Sequence, residues 1–203
     1  MTLIADQKTS RNGKKTKLLR IDLACGQVKK EGFTGVDIVK LPGVDIVCNL
    51  TKFPWSFESN SVDEIYCSHF IEHLDGETFI KFMDECYRIM KVGTYVENVP
   101  QQEGAHITFI APYYSSVRAI QDPTHKQFIS EQSFLYYNKK WREDNKLTHY
   151  PIKSDFDFSY SYFLDPEITT WNHERQRFAI KFYNNSVSDI MIRLIKKEKT
   201  DKK

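Results

Sequence analysis

The chain has 203 residues, 40% of them hydrophobic and 28% charged, enough apolar material for one domain with a sizeable core and too much for a disordered chain. Lys and Arg number 29 against 27 Asp and Glu, so no overall field draws the protein to a phosphate backbone. No run approaches the ~18 apolar residues of a membrane span and the N-terminus lacks the apolar stretch of a signal peptide, which predicts a cytoplasmic protein with no membrane partner.

Residues 1–17 read as a flexible basic tail. The runs 18–23 (LLRIDL), 34–38 (TGVDI), 44–47 and 62–67 (VDEIYC) are short and rich in β-branched residues, and Gly, Pro, Ser or Asn bound them; they predict strands. Only about ten residues separate the first two, where a parallel crossover normally takes a dozen or more, so the usual first helix is expected to be clipped to a turn. From Asp75 to Met90 the period changes. Phe79, Ile80, Phe82, Met83, Cys86, Tyr87 and Met90 recur at helical spacing, with Asp75 as N-cap and Glu77 in the first turn. The segment 91–105, with TYVENVP, is expected to be an insertion rather than a strand. Residues 106–111 (HITFIA) predict a strand stopped by Pro112, and the aromatic stretch from Ser130 to Trp141 starts as a helix. Residues 156–163 and 187–195 predict a late strand pair separated by a helix at 174–183. This alternation defines an α/β fold with a mostly parallel sheet covered on both faces, in one domain over 18–196 followed by a charged tail, 197–203. Cys25, Cys48, Cys67 and Cys86 are scattered singly, which suits reduced thiols better than disulfides or a CxxC metal site.

The most informative segment is 21–26 (IDLACG), followed by 35–38 (GVDI). In an open α/β sheet, ligands sit at the carboxyl ends of the strands; a Gly there lets the backbone approach a cofactor, and an acid ending the second strand can accept both ribose hydroxyls. Asp22, Gly26 and Asp37 are placed for this. A nicotinamide enzyme is disfavoured, because GxGxxG is absent and Asp37 follows Gly26 much sooner than the roughly 20 positions of the dinucleotide pattern.

These segments resemble the class I S-adenosylmethionine-dependent methyltransferases, in the small single-domain group with a D-L-x-C-G loop. The resemblance covers 18–125 by motif and extends to 196 by strand order. It implies a Rossmann-like methyltransferase fold, with a mostly parallel seven-stranded sheet and an antiparallel late strand, and S-adenosyl-L-methionine as cofactor. By position, the loop of Asp22, Leu23, Ala24, Cys25 and Gly26 would wrap the methionine part, and Asp37 with Ile38 would hold the ribose. Where such proteins carry an Asp near the adenine, this chain has Asn49, followed by Leu50 and Thr51; the amide oxygen of Asn49 can still accept from the adenine amino group. CSHFIEHL matches the family's S-x-x-x-E-H-L in Ser68, Glu72, His73 and Leu74, with His69 facing the cofactor and His73 a structural histidine. Its P-x-x-S and D-P-x-H elements match Pro112 to Ser115 and then Asp122, Pro123 and His125, within an acceptor-side lid at 112–150. There Tyr113 or Tyr114 is expected to contact the acceptor, and His125, oriented by Asp122, to bind it or take its proton.

A sulfonium methyl is already activated, so such an enzyme needs alignment, exclusion of water and at most a proton acceptor. The expected acceptor is a small molecule: a metabolite, a sugar or a nucleotide. Nucleic acid is disfavoured, since the [DN]-P-P-[YF] signature of amino-methylating DNA enzymes is replaced by CSHF, and Lys139, Lys140 and Arg142 beside Trp141 are followed at once by Glu143 and Asp144. The element methylated and the oligomeric state stay open. Two other readings remain. One is a non-catalytic cofactor-binding or structural protein of the same fold, suggested by Asn49 and the clipped crossover. The other is a zinc hydrolase, because His69-x-x-Glu72-His73 spells the inverted zinc-protease motif, in which both His share a helix face and Glu72 serves as base. No third ligand is evident, so no metal is expected.

Overall fold

The computed structural model describes residues 18–93 and 105–197. The N-terminal tail and most of the expected insertion at 91–105 lie outside the described residues. Strands β1 (Arg20–Leu23), β2 (Thr34–Asp37), β3 (Ile46–Val47), β4 (Glu64–Ser68), β5 (His106–Pro112), β6 (Phe156–Leu164) and β7 (Val187–Lys196) form one sheet in the order β3-β2-β1-β4-β5-β7-β6. The strands β3, β2, β1, β4 and β5 pair in parallel, and β7 runs antiparallel between β5 and β6. This is the expected mostly parallel sheet with an antiparallel late strand. No described helix is long and apolar enough to cross a membrane.

The register explains where the core lies. Ile21, Ile65, Ile107 and Leu194 fall in one row and Leu23, Cys67, Phe109 and Ile192 in the next, so one face of the sheet is continuously apolar. Helix α1 (Gly76–Ile89) covers it with Phe79, Phe82, Met83 and Cys86, and Asp75 caps it as expected by accepting from the Thr78 N–H at 2.9 Å. The Phe82 ring sits 5.4 Å from Trp55, 5.6 Å from Phe70 and 6.0 Å from Phe109. Helix α2 (Val117–Ile120) follows β5. The helix expected to start at Ser130 is a 3-10 segment at Glu131–Tyr137, succeeded by helix α3 (Lys139–Asp144). Its three-residue repeat turns Phe134 and Tyr137 to one side, where both rings meet Phe79. Helices α4 (Pro166–Thr169) and α5 (His173–Phe182) separate β6 from β7.

The opposite face alternates to polar residues. Arg20, Glu64 and His106 are cross-strand neighbours, and the Glu64 carboxylate lies 3.3 Å from both Arg20 Nε and His106 Nε2. The clipped crossover between β1 and β2 folds over this face without a helix, laying Lys30 Nζ 4.3 Å from the Tyr66 ring centroid and Phe33 edge-on to the same ring. That loop path is how so few residues join two adjacent parallel strands. The carboxyl ends of β1, β2, β4 and β5 share one rim, and the strand order reverses between β1 and β4, the place where open α/β sheets bind ligands.

Candidate functional site

Leaving β1, the chain bends sharply: Ala24 and Gly26 both adopt left-handed backbone, with φ of 56° and 59°. At Gly26 this is free of steric cost, whereas Ala24 bears strain of about 1–2 kcal/mol that the surrounding hydrogen bonds must hold. The Cys25 N–H donates to the Val36 carbonyl at 3.2 Å, and the Gly26 N–H donates to Asp37 Oδ2 at 2.9 Å. Asp37 Oδ1 accepts from the Val39 N–H at 3.2 Å. Asp37 therefore ties the β1 loop to the end of β2. A Cβ added at Gly26 would meet nothing within 4 Å, so the space beside the loop is open. Ile38 and Val39 stand next to it, 57% and 53% exposed.

Asp22 is buried, and its Oδ2 accepts from the Lys30 N–H at 2.7 Å, which pins the far side of the loop. Burial pushes its carboxyl up from the ordinary range, and the Lys30 N–H and ammonium draw it partly back. The Cys25 thiol is pushed up by burial and by Asp22 and Asp37, which keeps it protonated and unsuited to be a nucleophile at neutral pH. Gly35 is where the two loops close. A Cβ there would stand 2.2 Å from the Gly43 carbonyl oxygen and 2.9 Å from Cys25 Sγ. Gly35→Ala is expected to lower the unfolding free energy by roughly 1–3 kcal/mol, as overpacking does, measured by urea denaturation.

The third segment expected to meet the cofactor differs from expectation. Both acceptor sites of Asn49 Oδ1 are taken within a local turn, by the Thr51 N–H at 2.9 Å and the Thr51 hydroxyl at 2.8 Å. The oxygen expected to meet an adenine amino group is thus engaged, and the Nδ2 donor is the group left over. Leu50 is buried in the core and presents no side chain to the rim, whereas Thr51 is exposed.

On the other side of the rim, Ser68 ends β4 and His69 follows in left-handed backbone, φ 54°, its N–H bonded to the Ile110 carbonyl at 2.8 Å. His69 Nδ1 lies 3.5 Å from Glu72 Oε1 and its Nε2 lies 3.9 Å from Asp189 Oδ1, which is 3.4 Å from Arg118 Nε. Asp189 and Arg118 carry no local signature and were not anticipated. Tyr113 corrects an expectation: only 3% exposed, it donates its hydroxyl to Glu131 at 3.3 Å, and its ring packs on Tyr162. Burial and the Glu131 carboxylate push its hydroxyl far up. Tyr114, 47% exposed, is the tyrosine presented to the rim.

The expected Asp122–His125 pair is present only as a long ion-pair contact. Asp122 Oδ1 accepts from the Thr124 N–H at 2.8 Å and its hydroxyl at 2.7 Å, and these bonds lower its carboxyl from the ordinary range. Its Oδ2 stays 3.8 Å from His125 Nε2. His125 Nδ1 instead meets the Ala119 carbonyl at 2.9 Å, and its ring stands edge-on to His73 at 4.8 Å. The inverted zinc-protease arrangement fails for a similar reason. Ile71–His73 is a single 3-10 turn entered from a left-handed residue, not an α-helix that stacks His69 on His73.

The basic cluster near Trp141 is internally satisfied. Lys139 and Lys140 pair with Glu143 and Asp144 along α3, and the buried Arg142 donates to the carbonyls of Tyr136, Ile152 and Ser154. A cavity of about 680 Å³ is lined by Phe53, Lys81, Glu85, Arg88 and Lys153. It lies toward the amino end of β4, where α1 ends, away from the rim just described.

Residues 7–96 match the family model described as a methyltransferase domain. A solved S-adenosylmethionine-dependent methyltransferase from Archaeoglobus fulgidus is similar at 22% identity with a TM-score of 0.59, covering 90% of this chain and 87% of its own. One from Mesorhizobium loti is similar at 12% identity and TM-score 0.50, over 89% and 91% of the two chains. A geranyl diphosphate C-methyltransferase from Streptomyces coelicolor A3(2), in complex with Mg²⁺, geranyl diphosphate and S-adenosyl-L-homocysteine, is similar at 13% identity and TM-score 0.50, over 88% and 73%. No curated protein sequence matches the chain. By sequence, residues 7–96 are similar to that methyltransferase domain, and across the described chain the fold is the one these solved methyltransferases share.

Proposed function

We propose that the chain transfers the methyl group of S-adenosyl-L-methionine to a small acceptor, a metabolite, sugar or nucleotide, by in-line displacement in a cytoplasmic setting. The observation that carries this reading is the clamp of Asp37 on the Gly26 N–H, set at the open rim between β1 and β2 beside the exposed Ile38 and Val39. The bound donor supplies an activated sulfonium methyl. Each Asp37 oxygen uses one lone pair on the backbone and keeps another for a ribose hydroxyl. Ile38 offers an apolar edge to the adenine, and Asn49 Nδ2 a donor to a ring nitrogen. The loop at 22–26 holds the methionine part against Ser68 and His69. His69, half exposed and flanked by the carboxylates of Glu72 and Asp189, is placed to accept a proton from the acceptor. The paired cations of α3 leave no ready phosphate-binding face there, which supports a small acceptor.

The test is incubation with methyl-labelled donor and a cell extract separated into low-mass and polymer fractions. Label is expected in the low-mass fraction with release of S-adenosylhomocysteine. Label confined to RNA or DNA would overturn the acceptor class, and donor binding with no label anywhere would favour the non-catalytic reading.

A further inference from the structure

We propose that Glu72, His73 and His125 bind a borderline divalent cation of the Zn²⁺ class through two imidazoles and one carboxylate, with a coordination position left open. One ligand atom of each residue lies within 4.8 Å of the others. Zinc bonds of about 2.0–2.2 Å set tetrahedral ligands roughly 3.3 Å apart, so closing the set takes small side-chain rotations.

Three independent features point to a ligand here. First, Glu72 is 1% exposed, and neither carboxylate oxygen has a hydrogen-bond partner among the described residues. Its nearest ion-pair neighbour is His69 Nδ1, 3.5 Å from Oε1, and a buried carboxylate held by no hydrogen bond is costly, a cost that a cation removes. Second, the hydrogen bonds fix both histidine tautomers. The Asp122 carboxylate can only accept, so the Thr124 hydroxyl gives it a proton and in turn accepts from His73 Nδ1–H at 2.9 Å. The Ala119 carbonyl likewise accepts from His125 Nδ1–H. In the neutral rings this arrangement puts the lone pair on Nε2, the way outer partners orient metal-binding histidines. Third, the two segments are locked together, since the Lys126 and Gln127 N–H groups both donate to the Glu72 carbonyl, at 2.7 and 3.0 Å.

The donor set selects the metal. Mg²⁺ and Ca²⁺ take all-oxygen sites, whereas imidazoles suit zinc and its neighbours, and three protein ligands leave room for a water or an acceptor oxygen. Asp122 Oδ2, 3.8 Å from His125 Nε2, stands beside the trio as a second acidic group. This trio differs from the inverted zinc-protease motif in replacing His69 with His125, and it adjoins the methyl-transfer reading only through Glu72, which also neighbours His69.

The test strips the full chain with a chelator and titrates Zn²⁺ against a chromophoric competitor, with Co²⁺ as a spectroscopic probe. One Zn²⁺ per chain is expected, with Co²⁺ giving d–d bands free of thiolate charge-transfer absorption. Glu72→Gln and His125→Gln should each weaken binding by at least about 100-fold, and His69→Gln should leave it unchanged. Should Glu72→Gln fail to fold by circular dichroism, His125→Gln, in the loop after α2, decides. Absence of stoichiometric binding, retention of affinity in His125→Gln, or a thiolate band marking Cys25 or Cys48 would each overturn the site.

Discussion

Replacing Asp37 with Ala is expected to weaken S-adenosylhomocysteine binding by roughly 10²- to 10⁴-fold while the chain stays folded. The size follows from the two ribose hydroxyls that the proposed site sets against this carboxylate, since hydrogen bonds to a charged group are worth about 1.5–3 kcal/mol each. The substitution also removes the acceptor of the Gly26 and Val39 N–H groups. Those groups lie at an open rim where water can replace it, so the loop loses its preset shape more than the domain loses stability. Asp37→Asn, which keeps one oxygen, should fall between. Titration calorimetry on both variants, with circular dichroism as the folding control, checks this; equal affinity in Asp37→Ala would sink the ribose assignment.

Phe82→Ala is expected to cost about 3–5 kcal/mol of stability, the range for emptying a buried aromatic site. The ring lies wholly inside the layer between α1 and the sheet and touches Trp55, Phe70 and Phe109. None of these three comes from the β1 loop or the end of β2. Against a total of about 5–15 kcal/mol for a domain, the loss should shift the urea midpoint substantially. Donor affinity measured on the folded protein should hardly change, because the proposed donor site lies on the rim loops. A loss below about 1 kcal/mol would show that α1 packs differently.

The parts of this molecule that follow a local pattern were legible in its sequence. Short apolar or aromatic runs marked all seven strands, and the apolar period with Asp75 at its head marked α1. Asp37 was readable because a strand end at a sheet rim is a defined place. What could not be read depends on partners distant along the chain or on local competition. Tyr113 is buried because β6 brings Tyr162 and the 3-10 segment brings Glu131 against it. Asp189 reaches His69 only because β7 inserts beside β5. Asn49 turns its oxygen inward to Thr51, as short amide side chains do when a backbone N–H lies two residues ahead. Glu72 and His73 meet His125 through a turn some fifty residues away, so no local spacing announces that the three lie together.

The most direct test of the donor site is thermal melting of the full chain with and without S-adenosylhomocysteine, run in parallel on wild type and Asp37→Ala. Ligand at 100 times its dissociation constant stabilises a native state by about 2.7 kcal/mol, a shift of several degrees for a domain of this size. The predicted result is a clear upward shift in wild type that vanishes in Asp37→Ala. No shift of the wild type at millimolar ligand, or an equal shift in both proteins, would contradict a donor held at the rim of β1 and β2.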